Sequence, residues 1–328
     1  MEGLISTKGP PQRSSSCDLL VLGGAGFLGR HLTRLALAAE TGSGRAPTVA
    51  IASRDPRAAI HESLLPRTVQ AYEVDGTKDD GIEELLERLQ PACIINCIAL
   101  PSLARCSSDP ARAVALNCDL PGRLAHWTAR CASRLVHVST DLVFDGEPPR
   151  PSGYQEDDLP APRNEYGKSK LAGEEAVLEE DAGALVVRVP LLYGDSHGTA
   201  HGASDALLAA LEAGERPPLF TDERRSPLEV GNAALALLEL SQRPEIHGRL
   251  HVAGPDQLTR YDLGLLVLTA RGLPAEKAAG LVRPSSRADT GMAAERPRDV
   301  CLDSRRARGL LATPLLPVTE ALTAASSS

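Results

Sequence analysis

The sequence lacks two features that mark membrane proteins and nucleic-acid-binding proteins. No apolar stretch reaches the length of a membrane-spanning helix. No run of Lys and Arg stands out in a chain whose formal net charge is −8. Surfaces that bind nucleic acid or anionic membranes are rich in these two residue types. We therefore predict a protein that binds neither nucleic acid nor a membrane.

The first residues lack the pattern of a secretory signal. Residues 1–16 contain Lys8 and Arg13 but no continuous apolar segment after them, and they are rich in Ser, Gly and Pro. Such a composition is typical of a flexible tail, so we predict a flexible N-terminal tail over residues 1–16. The expected location of the protein is the cytoplasm.

Paired cysteines and metal-binding motifs are also lacking. The seven cysteines are odd in number and include no C-x-x-C motif. Their spacing does not match known zinc sites. We expect reduced, mostly buried thiols and no metal site.

What is present is an alternation of short apolar strands with amphipathic helices. A chain of 328 residues can form one large domain or two. Strands that are apolar on both faces are typical of a parallel sheet covered by helices on each side. The pattern predicts an α/β fold with a Rossmann-type, doubly wound parallel sheet. The predicted strands are residues 19–22, 48–53, 69–75, 92–99, 135–139, 183–189 and 248–253.

A glycine motif lies between the first strand and the first helix. The strand at 19–22 runs into Gly23-x-x-Gly26-x-x-Gly29, and a helix is predicted over 30–40. Strand, glycine turn and helix are the context of a dinucleotide-binding fingerprint. Gly23 permits the tight turn, Gly26 lets the backbone approach a pyrophosphate, and Gly29 lets the helix pack on the strand. The helix N-terminus then attracts the phosphates.

The end of the second strand indicates which cofactor is preferred. Ser53 and Arg54 stand where NAD-binding folds often place an acidic residue on the ribose hydroxyls. A hydroxyl and a guanidinium suit a ribose 2′-phosphate instead. We predict that NADP(H) is preferred, with NAD(H) as the second candidate.

Two side chains on a later helix have the spacing of a general acid and its partner. Tyr166 and Lys170 are four positions apart, which places them on one face of a helix. An ammonium close to a phenol lowers the phenol pKa, which favours general-acid catalysis near neutral pH. Thr140 follows the fifth strand and is expected at the same sheet edge as the glycine loop. The alternatives are a solvated lysine on a surface helix and a threonine that merely ends a strand.

These motifs occur together in one order. They are the glycine motif, Ser139-Thr140-Asp141 with Val143-Phe144-Asp145-Gly146, Tyr166-Gly-Lys-Ser-Lys170-Leu-Ala-Gly-Glu174 and Arg188-Val-Pro-Leu-Leu-Tyr-Gly194. The chain resembles the extended short-chain dehydrogenase/reductases over about residues 17–320. Within them it is most similar to the dTDP-4-dehydrorhamnose reductase branch. The resemblance implies a Rossmann domain that binds NAD(P)H and a smaller C-terminal lobe that binds a nucleotide sugar.

The resemblance also implies roles for matching residues. Tyr166 would donate the proton, Lys170 would hold the nicotinamide ribose and lower the tyrosine pKa, and Thr140 would complete the catalytic set. Asp75 matches an acidic position of the family near adenine. Residues 96–100 match a segment that runs beside the cofactor, and Asn117 matches the asparagine of a family helix. The full cofactor set is then Gly23, Gly26, Phe27, Leu28, Gly29, Ser53, Arg54, Asp75, Ala99, Asn117, Tyr166 and Lys170.

The domain boundaries and the substrate lobe complete the predicted organisation. Residues 17–194, with a return over 228–254, are expected to form the Rossmann domain. Residues 195–227 and 255–323 are expected to form the smaller lobe. Arg225 and Arg298 lie in loop-like segments of that lobe, and arginine is the expected ligand of a diphosphate. A solvated charged loop is the alternative.

Two departures from the reductase pattern keep other functions open. Leu142 stands where many rhamnose-pathway reductases carry an aromatic residue, and Leu191 where they carry a tryptophan. The segment 188–194, together with Gly248-Arg-Leu-His-Val-Ala-Gly-Pro-Asp-Gln-Leu-Thr-Arg-Tyr261, is also similar to the regulatory β-subunit of methionine adenosyltransferase. The predicted function is NADPH-dependent reduction of a keto group on a nucleotide-activated sugar or similar polar molecule. An NADP-binding regulatory subunit and a nucleotide-sugar epimerase or dehydratase are the alternatives, and a homodimer is left open.

Overall fold

The computed structural model describes residues 16–39, 46–56, 69–196 and 202–325. Except for Ser16, the predicted tail lies outside the described residues. The strands are β1 (Cys17–Leu22), β2 (Val49–Ser53), β3 (Gln70–Glu73), β4 (Pro91–Asn96), β5 (Arg134–Thr140), β6 (Leu185–Val189), β7 (Leu192–Tyr193), β8 (Pro218–Phe220), β9 (Arg224–Arg225), β10 (Leu228–Glu229), β11 (Gly248–His251), β12 (Leu258–Thr259) and β13 (Arg283–Ser285).

Helices occupy most of the chain between the strands. They are α1 (Phe27–Ala38), α2 (Asp79–Leu89), α3 (Leu103–Ser108), α4 (Pro110–Val114), α5 (Leu120–Cys131), α6 (Glu165–Glu180), α7 (Ala203–Glu212), α8 (Val230–Ser241), α9 (Arg260–Ala270), α10 (Ala275–Leu281), α11 (Arg305–Leu310) and α12 (Val318–Ala325). A π-helical segment (Ala115–Asp119) joins α4 to α5, and a 3₁₀ turn (Asp141–Val143) follows β5.

The central sheet has seven parallel strands in the order β11-β6-β5-β4-β1-β2-β3. The chain builds outward from β1 through β2 to β3, and then returns to place β4 on the other side of β1. The loops after β1 and β4 therefore diverge at a topological switch point, where ligands bind in sheets of this kind. This topology confirms the predicted doubly wound α/β fold.

Alternate side chains of the central strands supply two separate cores. Leu19 and Val21 of β1 belong to the cluster that includes apolar residues of α1 and α8. Leu20 and Leu22 belong to the cluster that includes residues of α2 and α5. Successive side chains of a strand point to opposite faces, so a strand buried on both sides must be apolar throughout.

A third apolar cluster lies in the C-terminal part of the chain. It includes Leu207 of α7, Leu263 of α9, Ala278 of α10 and Val318 of α12. Tyr193 of β7, from the predicted Rossmann part, belongs to the same cluster. The domain boundaries at residues 17–194 with 228–254, and at 195–227 with 255–323, remain a prediction, and residues 197–201 lie outside the described ranges.

Three observations on the described residues bear on the type of protein. None of the helices in this part of the chain combines the length and apolar character that crossing a bilayer requires. Within 16–39, 46–56, 69–196 and 202–325, no group of three or more His, Cys, Asp and Glu side chains is arranged to hold a metal ion. The seven cysteines all fall within these ranges and form no disulfide with one another.

Candidate functional site

A cleft of about 700 Å³ opens at the switch point between β1 and β4. Its walls are the glycine loop after β1, the end of β2 and the segment that follows β4. Five of the residues predicted to bind the cofactor line it, namely Gly23, Gly26, Ser53, Arg54 and Ala99. The structure therefore brings together residues that are up to 76 positions apart in the sequence.

The glycine loop is closed by contacts that exclude a side chain. Gly23 has a φ of +82°, a left-handed conformation that favours glycine. A Cβ on Gly29 would lie 2.1 Å from the Gly23 carbonyl oxygen. Gly26 is the N-cap of α1 and has no side chain to cap the first turn. The N–H groups and the positive end of the helix dipole are thus available to an anion.

The two residues between these glycines contribute mainly to packing. Leu28 is buried in the core cluster beneath α1, and Phe27 packs against the same cluster. The Phe27 ring also meets the His31 ring edge-on, with centroids 6.1 Å apart. Cofactor contacts by Phe27 and Leu28 stay a prediction, and Leu28 could make them through its backbone alone.

The end of β2 presents a hydroxyl and a guanidinium to the cleft. Ser53 is buried, and its Oγ has no hydrogen-bond partner among the described residues. Arg54 is exposed beside it, and Asp55 also lines the cleft. A buried hydroxyl without a partner at the wall of a cleft is suited to a polar ligand group.

Asp75 and Asn117 do not line the cleft, but each lies beside residues that do. The Asp75 carboxylate accepts hydrogen bonds from the N–H and hydroxyl of Thr77 (3.1 and 2.8 Å), which lower its pKa. Asn117 is buried in the π-helical segment. Its Oδ1 accepts from the Leu100 N–H over 2.8 Å, and its Nδ2 donates to the Ser169 hydroxyl over 3.0 Å. Asn117 therefore fixes the segment after β4 against α6.

Tyr166 lies next to the cleft at the start of α6. Its side chain is half-buried and packs in the small cluster that contains Leu100, and Ile98 packs against the same cluster. Both of these residues line the cleft. Burial raises the pKa of Tyr166, and a hydrogen bond with the Thr140 side chain acts in the opposite direction.

Thr140 ends β5 and is nearly buried. Its hydroxyl accepts from the Leu142 N–H and donates to the Asp141 carboxylate, both over 3.2 Å. Burial raises the pKa of Asp141, and the nearby Arg225 opposes this shift. Thr140 lies close to Tyr166 at the carboxyl end of β5, and the catalytic roles of the two residues stay a prediction.

The expected effect of Lys170 on Tyr166 is not what the structure shows. Lys170 is buried, and its amine donates to the Val138 carbonyl over 2.7 Å and contacts His137 Nε2 at 3.1 Å. Burial lowers the pKa of Lys170 to about 8. The predicted lowering of the Tyr166 pKa by Lys170 is wrong for this arrangement, because desolvation of the phenol dominates.

The two arginines predicted to bind substrate have different surroundings. Arg225 is buried, with Nη2 at 3.0 Å from Glu223 Oε1 and Nη1 at 3.5 Å from Asp141 Oδ2. Arg298 is exposed, and its carbonyl accepts from the Arg224 N–H. The positive charge of Arg225 is thus already balanced by carboxylates, while that of Arg298 faces solvent.

Three arginines that the sequence motifs did not indicate also line the cleft. Arg30 follows Gly29 directly, and Arg105 and Arg112 belong to α3 and α4. Arg30 donates through Nε to the Ala25 carbonyl over 2.9 Å. The position of Arg30 directly after the glycine motif could have indicated that it lies at the cleft. Arg105 and Arg112 could not be found in this way, because only the fold brings α3 and α4 to the cleft.

The residues of the cleft fit a phosphate-bearing dinucleotide. The N–H groups of the first turn of α1, which no side chain caps, the unpartnered Ser53 hydroxyl and the neighbouring Arg54 offer donors and positive charge along one wall. The cleft volume of about 700 Å³ lies in the range of small-molecule and cofactor sites.

The chain is similar to a reductase, to a ketoreductase and to a subunit of methionine adenosyltransferase. A probable low-salt glycan biosynthesis reductase of Haloferax volcanii is 38% identical over 245 residues, covering 73% of this chain and 78% of that protein. The methionine adenosyltransferase 2 subunit beta of Pongo abelii is 32% identical over 229 residues, covering 68% and 66%. A probable dTDP-4,6-dihydroxy-2-methyloxan-3-one 4-ketoreductase of Streptomyces antibioticus is 31% identical over 297 residues, covering 90% of each chain.

Solved structures share the fold over nearly the whole chain. A hypothetical dTDP-4-dehydrorhamnose reductase from Sulfolobus tokodaii has a TM-score of 0.72 at 29% identity, covering 92% of this chain and 97% of that one. The dTDP-4-dehydrorhamnose reductase of Bacillus anthracis, solved in complex with NADP, has a TM-score of 0.73 at 20% identity, covering 96% and 99%.

The family match confirms the resemblance that the motifs predict. The sequence pattern described as the RmlD substrate binding domain matches residues 17–327. With a match of this extent, and with relatives more than 30% identical over most of both chains, the chain belongs to the RmlD substrate-binding domain family.

Proposed function

We propose that the protein is an NADPH-dependent reductase of a keto group on a nucleotide-activated sugar. The observation that carries the proposal is that Thr140 and Tyr166 lie close together, next to a cleft that is suited to a dinucleotide. Tyr166 packs with Ile98 and Leu100, and these two residues also form the wall of the cleft. Reductases and a ketoreductase among the relatives support the same reaction class.

The catalytic roles follow from the positions of the side chains. Bound NADPH supplies a hydride to the carbonyl carbon. Tyr166 donates a proton to the carbonyl oxygen, because its phenol lies next to the cleft and is protonated at neutral pH. Thr140 lies beside the phenol and offers its hydroxyl to the same carbonyl oxygen. Lys170 lies one helical turn further along α6, where its amine can reach a ribose hydroxyl.

The preference for NADPH rests on the end of β2. Ser53 offers a buried hydroxyl without a partner, and Arg54 offers a guanidinium that can bind a 2′-phosphate. Asp55 at the same wall disfavours a phosphate. NADH is the second candidate cofactor.

For the substrate we propose that Arg298, rather than Arg225, meets the diphosphate directly. Arg225 is engaged by Asp141 and Glu223, and these contacts tie the smaller lobe to the turn after β5. Replacing Arg298 by Ala should raise the KM for the nucleotide sugar about tenfold, as expected for one charge-assisted hydrogen bond. An unchanged KM in steady-state kinetics would remove Arg298 from the site.

A regulatory role is the second candidate function. The relative from Pongo abelii is a methionine adenosyltransferase subunit. The amine of Lys170 also contacts His137 and Val138 rather than Tyr166. A regulatory subunit could bind the same cofactor and catalyse nothing.

One assay separates the two functions. Purified protein is mixed with NADPH and a panel of keto-sugar nucleotides, and cofactor oxidation and products are followed. Reduction of at least one substrate is the expected result. Binding of NADPH without turnover of any of them, together with activation of a methionine adenosyltransferase, would favour the regulatory role. An altered sugar formed without net cofactor oxidation would indicate an epimerase or a dehydratase.

A further inference from the structure

A buried histidine that the proposed reaction does not use contacts the amine of Lys170. His137 lies in β5 with 0% exposure, and its Nε2 is 3.1 Å from Lys170 Nζ. Its Nδ1 is 3.1 Å from Nδ2 of Asn96, the last residue of β4. Asn96, His137 and Lys170 thus form a continuous row of polar groups inside the protein.

The Asn96 end fixes the direction of the hydrogen bonds along this row. The Ile98 N–H donates to Asn96 Oδ1 over 3.0 Å, so the amide nitrogen of Asn96 faces His137. We assign His137 Nδ1 as the acceptor on this basis. Burial, with Lys170 close by, holds the pKa of His137 well below its usual value, so the ring is neutral. A neutral ring that accepts at Nδ1 carries its hydrogen on Nε2.

The hydrogen on Nε2 points at the Lys170 amine. Only one protonation state of that amine then lets every hydrogen bond between the two side chains form. An ammonium group has three donors and no acceptor, whereas a neutral amine has a lone pair. A neutral Lys170 can donate to the Val138 carbonyl, at 2.7 Å, and accept from His137 at the same time. A protonated Lys170 would face another donor, and a buried donor without a partner is costly.

We propose that His137 is a positioning residue for Lys170, whose neutral amine accepts the Nε2 hydrogen and is thereby held against the Val138 carbonyl. The other titratable groups that act on this amine are Glu174 on the same helix and Cys97 after β4. Both raise the pKa of Lys170, but burial outweighs them and brings it to about 8. The neutral amine is therefore the major form above about pH 8 and a minor form at neutral pH.

The proposal predicts a single tautomer of His137 in the free protein. Long-range ¹H–¹⁵N NMR distinguishes the hydrogen positions on a histidine ring and needs no variant. We expect a neutral ring with its hydrogen on Nε2 above the Lys170 midpoint near pH 8, where the amine is neutral. A hydrogen on Nδ1 above that pH, or a ring that is charged there, would overturn the proposal.

A second measurement follows the titration of Lys170 itself. The Cε signals of ¹³C-labelled lysine report protonation, and few lysines compete for assignment: Lys8, Lys78, Lys168, Lys170 and Lys277. A Lys170→Met variant identifies the signal of Lys170. We expect a midpoint near pH 8 in the wild type.

Variants of His137 show in which direction this residue shifts the titration midpoint of Lys170. His137→Phe removes the donor that favours the neutral amine, so the midpoint should rise by about one pH unit, the equivalent of one net hydrogen bond. His137→Gln keeps an N–H donor and should return the midpoint towards the wild-type value. His126→Gln alters an exposed histidine of α5 and should change nothing. An unchanged midpoint in folded His137→Phe would refute the proposal, and the tautomer measurement decides if that variant does not fold.

This inference rests on the proposed function only in naming Lys170 as part of the catalytic group. Its readouts are NMR signals of the protein without cofactor or substrate, so they would be the same in a protein that catalyses nothing. Failure of the reductase proposal appears only in the turnover assay. In an active protein, loss of the charge on Lys170 should limit the rate at high pH, and His137→Phe should move that limit upward.

Discussion

Replacing Gly29 by Ala tests whether the glycine loop is as tightly closed as the structure shows. The added Cβ would lie 2.1 Å from the Gly23 carbonyl oxygen and 2.8 Å from the Gly24 Cα, well short of the 3.4 Å at which ordinary contact begins. Both neighbours are backbone atoms, so the loop after β1 must move away from α1. Overpacking of this kind costs about 1–3 kcal/mol. Ala is more favourable than Gly in a helix, and this preference offsets about 0.5–1 kcal/mol of the cost in stability.

We expect Gly29→Ala to lower the free energy of unfolding by about 1–2 kcal/mol and to weaken NADPH binding by at least about tenfold, because a displacement near 1 Å spoils positioned contacts. The matched control is Gly81→Ala in α2, where an added Cβ has no neighbour within 4 Å. That variant should be stabilised by about 0.5–1 kcal/mol. Urea unfolding and calorimetric titration with NADPH measure both effects. Wild-type stability and affinity in Gly29→Ala would refute the argument.

Further predictions concern the cofactor and the buried charges. Arg54→Ala should weaken NADPH binding about tenfold or more and leave NADH binding unchanged, because only NADPH carries the 2′-phosphate that Arg54 would bind. Calorimetry measures both affinities, with the exposed Arg130→Ala as the control. Equal losses of affinity for both cofactors, or a loss in the control, would contradict this prediction. Arg188→Met should lower the free energy of unfolding by about 3–5 kcal/mol, because Arg188 Nη2 is 2.7 Å from Oε2 of the fully buried Glu174. Burial raises the pKa of Glu174, but Arg188 outweighs it and the net pKa is lowered. The stabilisation is therefore present above the unfolded pKa of about 4.3 and is lost as pH falls through the lower folded pKa. Urea unfolding at several pH values should show that acid lowers the free energy of unfolding less in Glu174→Gln than in the wild type. Equal decreases in the two proteins would refute the role of the Glu174 carboxylate.

The sheet and the glycine loop could be predicted because their signals are local. A wholly apolar run such as residues 19–22 marks a strand buried on both faces, and the glycines that follow mark the turn. The boundaries of β4 and β11 differ from the prediction by a few residues, because their ends are set by neighbouring strands. Helix α8 was missed as an element, although its apolar sequence packs on the same core as α1.

The chemistry of the site depends on burial, which the sequence does not specify. The spacing of Tyr166 and Lys170 places both on α6, but it does not reveal that Lys170 contacts His137 and Val138. Arg225 reads as an exposed loop residue until the fold encloses it with Asp141 and Glu223. In each case residues distant in the sequence determine the charge state and the partners of the side chain.

Close packing of helices on the sheet edge was equally invisible in the sequence. A Cβ on Gly167 would lie 2.2 Å from the Leu142 carbonyl oxygen, and one on Gly173 would lie 2.0 Å from that of Asn117. These two glycines allow α6 to approach the turn after β5 and the π-helical segment closely. Both belong to the motif around Tyr166, so part of that motif serves to place the helix.

The central claim is that Tyr166 donates a proton during reduction of a keto-sugar nucleotide. The most direct measurement compares NADPH oxidation at saturating substrate by the wild type and Tyr166→Phe, with Tyr72→Phe on β3 as the matched control. Tyr166→Phe removes the hydroxyl and little volume, so NADPH binding should be retained while turnover falls about 10²–10⁴-fold. Tyr72→Phe should keep wild-type turnover. Turnover of Tyr166→Phe within about tenfold of the wild type would show that Tyr166 is not the acid.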